Sequence, residues 1–167
     1  ERTMLDARVS AAGSVAFDER LLELVQTRVE GYVTRLEVKS TLERVRRGQP
    51  LAAIQVPQWT QAEQEYLALL DARSERAQSL RAAARQRLVV LGIPESTIQA
   101  VENTRQTRSE TTLNAPIDGV ITELGVREGG AFMAGTTLFR INGLATVWVG
   151  AQIPESKVAL VNDSSAV

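Results

Sequence analysis

The chain has 167 residues, 44% of them hydrophobic and 23% charged, with a formal net charge of -1, a globular balance that suits one large domain or a few small modules. Its 19 basic residues, Lys39 and Lys157 the only lysines, are interspersed with 20 acids, so no basic field exists to attract nucleic acid. His and Cys are both absent, which removes imidazole bases, thiolate nucleophiles, disulfides and the common zinc sites, and the chain reads as non-enzymatic.

Glu1 to Ala16 lack the apolar stretch of a signal peptide, and no apolar run approaches the roughly 18 to 20 residues that cross a bilayer. No transmembrane segment is expected. The first residue is not Met, so the chain reads as a mature or trimmed portion of a longer protein. Aromatics make up only 4% of residues, and a core built from Val, Leu, Ile and Ala favours thin modules and paired helices. Arg8 to Val15 alternates as the first strand.

Glu30-Gly31-Tyr32-Val33-Thr34-Arg35-Leu36 then opens a β-unit that continues through Val45-Arg46-Arg47-Gly48-Gln49-Pro50-Leu51 to Ile54. Gln58 to Arg108 follows as a helical excursion. Pro57 marks its start, and Gln58 to Leu91 contains neither Gly nor Pro. Trp59, Ala62, Tyr66 and Leu69, and then Ala77, Leu80, Ala84, Leu88 and Leu91, fall at the spacings of buried stripes in antiparallel helices. Glu63 and Glu65, and Asp71 and Glu75, read as solvated carboxylates of these helices. Gly92 can end a helix in the left-handed conformation, and Pro94-Glu95 suits the start of the next, to about Arg105. Asp71 to Ser74 leaves the count open at two or three helices.

After the excursion the β-unit returns. Asp118-Gly119-Val120-Ile121-Thr122-Glu123-Leu124 matches residues 30–36 at an offset of 88 (119 − 31), and Phe132-Met133-Ala134-Gly135 to Ile141 matches residues 45–54 at 87 (135 − 48). Gly31, Gly48, Gly119 and Gly135 are structural glycines in this reading, supplying tight turns or close backbone approach. Arg127-Glu128-Gly129-Gly130 reads as a hairpin turn rather than a phosphate cradle. Two equivalent halves predict a small pseudo-symmetric β-sandwich. Ala145 to Ile153 is a last strand-like stretch, with which Arg8 to Val15 forms part of a further, incomplete β-module.

The expected architecture is α+β and multi-module. Residues 1–28 and 143–167 form an incomplete β-barrel domain, 29–57 and 109–142 a lipoyl-like β-sandwich, and 58–108 an α-helical hairpin or bundle. With Val56-Pro57, Gln61 to Leu67, Leu91-Gly92-Ile93-Pro94-Glu95, Ala115-Pro116-Ile117-Asp118-Gly119-Val120-Ile121, Val147-Trp148-Val149 and Ile153-Pro154-Glu155-Ser156, this order resembles the periplasmic adaptors, or membrane fusion proteins, of resistance-nodulation-division efflux pumps. The Gln-Glu-Tyr-Leu helix, the Leu-Gly-Ile-Pro-Glu turn and the Pro-Glu-Ser segment are similar to the heavy-metal subgroup.

The resemblance implies a protein of the Gram-negative periplasm, attached to the inner membrane through regions outside this chain. Such adaptors join an inner-membrane transporter to an outer-membrane channel and self-associate in a ring of about six, the sandwich lining the ring and the helical tip meeting the channel. No cofactor is implied. Two thioethers, Met4 and Met133, are a poor soft-metal set without His or Cys, so no metal ligands are assigned. Met133 reads as a gap filler, and Trp59 and Tyr66 as anchors of the helices on the sandwich. Among Arg73, Arg76, Arg81, Arg85 and Arg87, Arg87 is singled out as a partner contact because it lies close to the Leu91–Pro94 turn.

Two alternatives share parts of this architecture. A lipoyl or biotinyl carrier domain has the same sandwich but carries its modified Lys on the connection between halves, where neither Lys39 nor Lys157 lies. An adaptor of a type I secretion or drug efflux system is expected to have a much longer coiled coil.

Overall fold

The computed structural model describes residues 11–70 and 74–155, with the backbone alone for 75–77. Arg8 to Ser10, Met4, Arg73, Lys157, Asp163 to Val167 and the Asp71–Arg73 connection lie outside the described residues, as do the side chains of Arg76 and Ala77.

The elements run β1 (Ala12–Phe17), β2 (Leu22–Gln26), β3 (Gly31–Leu36), β4 (Arg44–Val45) and β5 (Pro50–Gln55), then α1 (Pro57–Leu70), α2 (Glu75–Val90) and α3 (Glu95–Thr104). They continue with β6 (Thr111–Asn114), β7 (Gly119–Leu124), β8 (Ala131–Phe132), β9 (Thr137–Asn142) and β10 (Val147–Gln152). β1 and β10 form an antiparallel ribbon, and the other eight strands make two four-stranded sheets ordered β2-β9-β7-β4 and β6-β5-β3-β8.

The duplication read in the sequence is an interlocked one. Exchanging β2 with β6, β3 with β7, β4 with β8 and β5 with β9 converts the first sheet order into the second. Each half places strands in both sheets: β4 pairs with β7 of the other half, and β8 pairs with β3. Each half keeps one ladder of its own, β3–β5 or β7–β9, but neither completes a sheet without strands from the other. Val33, Leu51 and Ile54 from one half and Ile121, Leu138, Phe139 and Ile141 from the other meet in a single core, where full burial of each large apolar side chain contributes about 1.5–3 kcal/mol.

The sandwich begins earlier than the boundary at residue 29. β2 pairs along its length with β9, so residues 22–26 belong to the sandwich rather than to the ribbon module assigned to 1–28. Leu22-Glu23-Leu24-Val25-Gln26 alternates poorly because it is an edge strand, with Leu24 exposed and Val25 only partly buried. The Arg127–Gly130 turn also differs from expectation, since it leads from β7 to β8, which lie in different sheets. Gly130 N donates to Arg127 O, and Glu128 reaches over to accept from Leu36 N at 3.0 Å.

Three helices fill the excursion. Pro57 is the first residue of α1, a position where its missing N–H costs nothing. α2 ends where Gly92 takes φ +81°, with Gly92 N bonded to Val89 O and Ile93 N to Leu88 O. α3 ends on a left-handed Arg105, and residues 105–108, expected within the helical region, instead return non-helically beside α1. Trp59, Ala62, Tyr66, Leu88, Ile93 and Ile98 are continuous with the sandwich core. Leu80 departs from the buried stripe at 51% exposed, since the sandwich core reaches only the C-terminal part of α2, where Leu88 is buried.

Candidate assembly surfaces

Helices and ribbon leave the sandwich at opposite ends. β2 starts at Leu22 opposite Asn142, next to the ribbon, and ends at Gln26 opposite Thr137. There Arg28 Nη1 donates to Val89 O and Val90 O at 3.3 and 3.1 Å, placing a cation on the negative end of α2. Trp59 Nε1 donates to Leu91 O at 3.0 Å. The Leu91–Pro94 turn is thus held at the sandwich, which sets the C-terminal end of α2 beside the start of α1.

Arg87 follows from this placement. It is exposed in the last turn of α2, on the sandwich side of the bundle, and ion-pairs with Glu65 of α1. Arg85 bridges α2 to α3 through Glu95 and Glu102, and Tyr66 OH donates to the same Glu102 carboxylate at 2.7 Å. The hydrogen bond from Tyr66, reinforced by Arg85, holds the Glu102 carboxyl below its usual range, while burial pushes the Tyr66 phenol up. Arg81 is partly buried in the same bundle.

Glu63, expected to be solvated, is only 1% exposed. It shares a helix face with Trp59 and Tyr66, and its Oε2 accepts from Arg108 N at 3.3 Å. Burial raises its pKa above the usual glutamate range, opposed by that hydrogen bond and by the Arg108 charge. The four-residue step from Trp59 and the three-residue step to Tyr66 are the signal in the sequence for this position.

At the ribbon end, Asp18 organises the junction. It is buried and accepts from Arg20 N and Nε at 3.0 Å, Arg20 Nη2 at 2.9 Å and Thr146 Oγ1 at 2.8 Å. These bonds, Arg20 first, hold its carboxyl well below the usual carboxylate range. Asn142 Nδ2 donates to Asp18 O, and the Arg20 guanidinium lies 5.2 Å from the Trp148 ring centroid. This cluster went unrecognised in the sequence because Asp18 and Thr146 are 128 positions apart. Beyond it both ribbon strands are exposed along their length, Trp148 by 55%.

The four structural glycines occupy two kinds of site. A Cβ on Gly31 or Gly119 would collide with the backbone carbonyl of Gln55 or Asn142 on the neighbouring strand. Gly48 and Gly135 sit in equivalent turns at φ +82° and +78°. Met133 is 69% exposed, so it fills no gap. Lys39 lies between β3 and β4, within the first half. Among the described residues no group of three or more His, Cys, Asp or Glu is placed to hold a metal, and no helix is long and apolar enough to cross a membrane.

The family model of the CusB barrel-sandwich hybrid domain matches residues 22–142, starting at β2 and ending with β9. The chain belongs to this family. It is 34% identical over 156 residues to the cation efflux system protein CusB of Escherichia coli (strain K12), covering 93% of this chain and 38% of that protein. A CusB-family chain of this length therefore spans about two fifths of that relative. The fold is also that of ZneB from Cupriavidus metallidurans (TM-score 0.54, 17% identity, 90% of this chain and 72% of that one). The periplasmic adaptor protein EmrA shares it as well (TM-score 0.51, 15% identity, 92% and 80%).

Proposed function

We propose that this chain is the sandwich and helical portion of a non-enzymatic periplasmic adaptor. It joins an inner-membrane resistance-nodulation-division transporter to an outer-membrane channel for export of heavy-metal ions from a Gram-negative cell. The adaptor is anchored at the inner membrane through other parts of the protein and self-associates side by side in a ring of about six. The ribbon, whose apolar side chains Val15, Val147, Trp148 and Val149 stand exposed, is the root of a β-barrel module completed by segments outside the described residues.

One observation carries this reading. The helices are inserted between two interlocked halves of a sandwich and emerge at the end opposite the ribbon. A body of this form leaves exposed surface at both ends for other proteins to bind, which suits a connector. Arg87 then belongs to a partner-contact surface on the side of the bundle, near the sandwich.

The family match favours cation export over drug export or type I secretion. Helix length agrees: α1 and α2 have 14 and 16 residues, about 21 and 24 Å, short of a long coiled coil. Deleting the gene and titrating the cells with copper, silver, zinc and cobalt salts tests the reading. Sensitivity to one or more of these ions, restored by the intact gene, is expected. Unchanged tolerance to all of them, with altered tolerance to organic drugs, assigns the adaptor to another pump class.

A further inference from the structure

The two lateral edges of one sheet carry opposite charge at the same height. β4 and β2 are its outermost strands, and one row of pairings joins them, from Arg44 to Val120, Val120 to Asn142 and Asn142 to Leu22. Beyond that row on the β4 side, Arg46 and Arg47 occupy the turn leading to β5. All three arginines are exposed, and among the described residues none of their guanidinium groups has an ion-pair partner. The carboxylates on this side, Asp118 and Glu43, accept from the Arg47 and Lys39 amides at 2.8 and 3.3 Å. A cleft of about 990 Å³ opens beside the arginines, with Val45, Ile117 and Leu144 in its lining.

The β2 side is the acidic counterpart. Glu19 and Glu23 are exposed at the level of the same row. Arg20, between them, is already committed to Asp18 through both Nε and Nη2. Leu24 is 45% exposed on this strand, and the outer edges of β2 and β4 have no strand partner among the described residues.

We infer that the Arg44, Arg46 and Arg47 edge of one copy docks against the Glu19 and Glu23 edge of the next, side by side and head to tail. The inference deepens the self-association proposed above and rests on it. Two-fold pairing would set arginine against arginine or glutamate against glutamate, which opposes it. Contact between unlike edges repeats one rotation from copy to copy, and that rotation can close into a ring. Because the edges are level along the strands, the repeat needs little or no shift along them, and the helices of every copy point the same way.

This chain has no Cys, and any Cys elsewhere in the full-length protein is first replaced by Ser. In cells carrying the whole pump, full-length protein bearing Arg46→Cys, Glu23→Cys or both is treated with an oxidant and compared with formaldehyde cross-linking of the unsubstituted protein. The expected result is a ladder of two, three and more disulfide-linked subunits from the double variant only. Dimers from Arg46→Cys alone overturn the head-to-tail pairing. A double variant that stays monomeric under oxidation, while formaldehyde yields multimers, overturns this choice of edges and leaves self-association standing. Monomer alone in the formaldehyde experiment overturns the self-association reading and this inference with it. Arg44→Glu, Arg46→Glu and Arg47→Glu together weaken the multimer, and adding Glu19→Arg and Glu23→Arg to the same chain restores it, which a merely structural role of these residues does not predict.

Discussion

Gly31 faces Phe132 across the β3–β8 ladder, and a Cβ on residue 31 would lie 2.8 Å from the Phe132 Cζ. The two residues come from different halves of the duplication, so the contact exists only when the halves interlock. Gly119 holds the equivalent place opposite Val45.

Gly31→Ala and Gly119→Ala are expected to destabilise the protein by about 1–3 kcal/mol each through overpacking against a neighbouring carbonyl. Urea unfolding measures this. Gly13→Ala, in the ribbon where the nearest atom is 3.4 Å away, is the control and is expected to change little.

Trp59→Phe removes the donor to Leu91 O while keeping most of the buried ring. A loss of about 1 kcal/mol is expected. Hydrogen exchange locates it: amides of residues 91–93 exchange faster in the variant, and those of the sandwich strands do not.

Glu63 gives a pH dependence whose sign is fixed by burial. Its folded pKa is raised, so its contribution is most favourable below the ordinary glutamate value of about 4.3 and is lost as pH rises through the folded value. Glu63→Gln keeps an acceptor for Arg108 N. The variant is expected to flatten that fall in stability and to be more stable than the parent at neutral pH, measured by thermal unfolding between pH 4 and pH 8.

Much of this fold was legible in the residues. The two β-units 88 and 87 positions apart correspond to β3–β5 and β7–β9, because alternation and turn glycines are local signals. Gly92 and Pro94 marked the α2–α3 boundary for the same reason. What escaped were features set by long-range pairing. β2 lacks a clean alternating pattern because it is an edge strand, Glu63 looks solvated until the returning residues 105–108 cover it, and Asp18 meets Thr146 only after the sheets form. The place of Arg87 turned on chain direction. The turn near it is held at the sandwich by Trp59 and Arg28, a relationship that helical periodicity alone does not contain.

Arg87→Ala removes an exposed ion pair with Glu65 and is expected to change stability by no more than about 1 kcal/mol. Reduced metal resistance with unchanged unfolding is the expected outcome for a partner contact. Normal resistance in that variant takes Arg87 off the contact surface.

The adaptor role is tested most directly by cross-linking the full-length protein in living cells, purifying it and identifying what is bound. Recovery of a resistance-nodulation-division transporter of the metal type together with an outer-membrane channel is the predicted result. Recovery of a soluble multienzyme dehydrogenase complex in their place would contradict it.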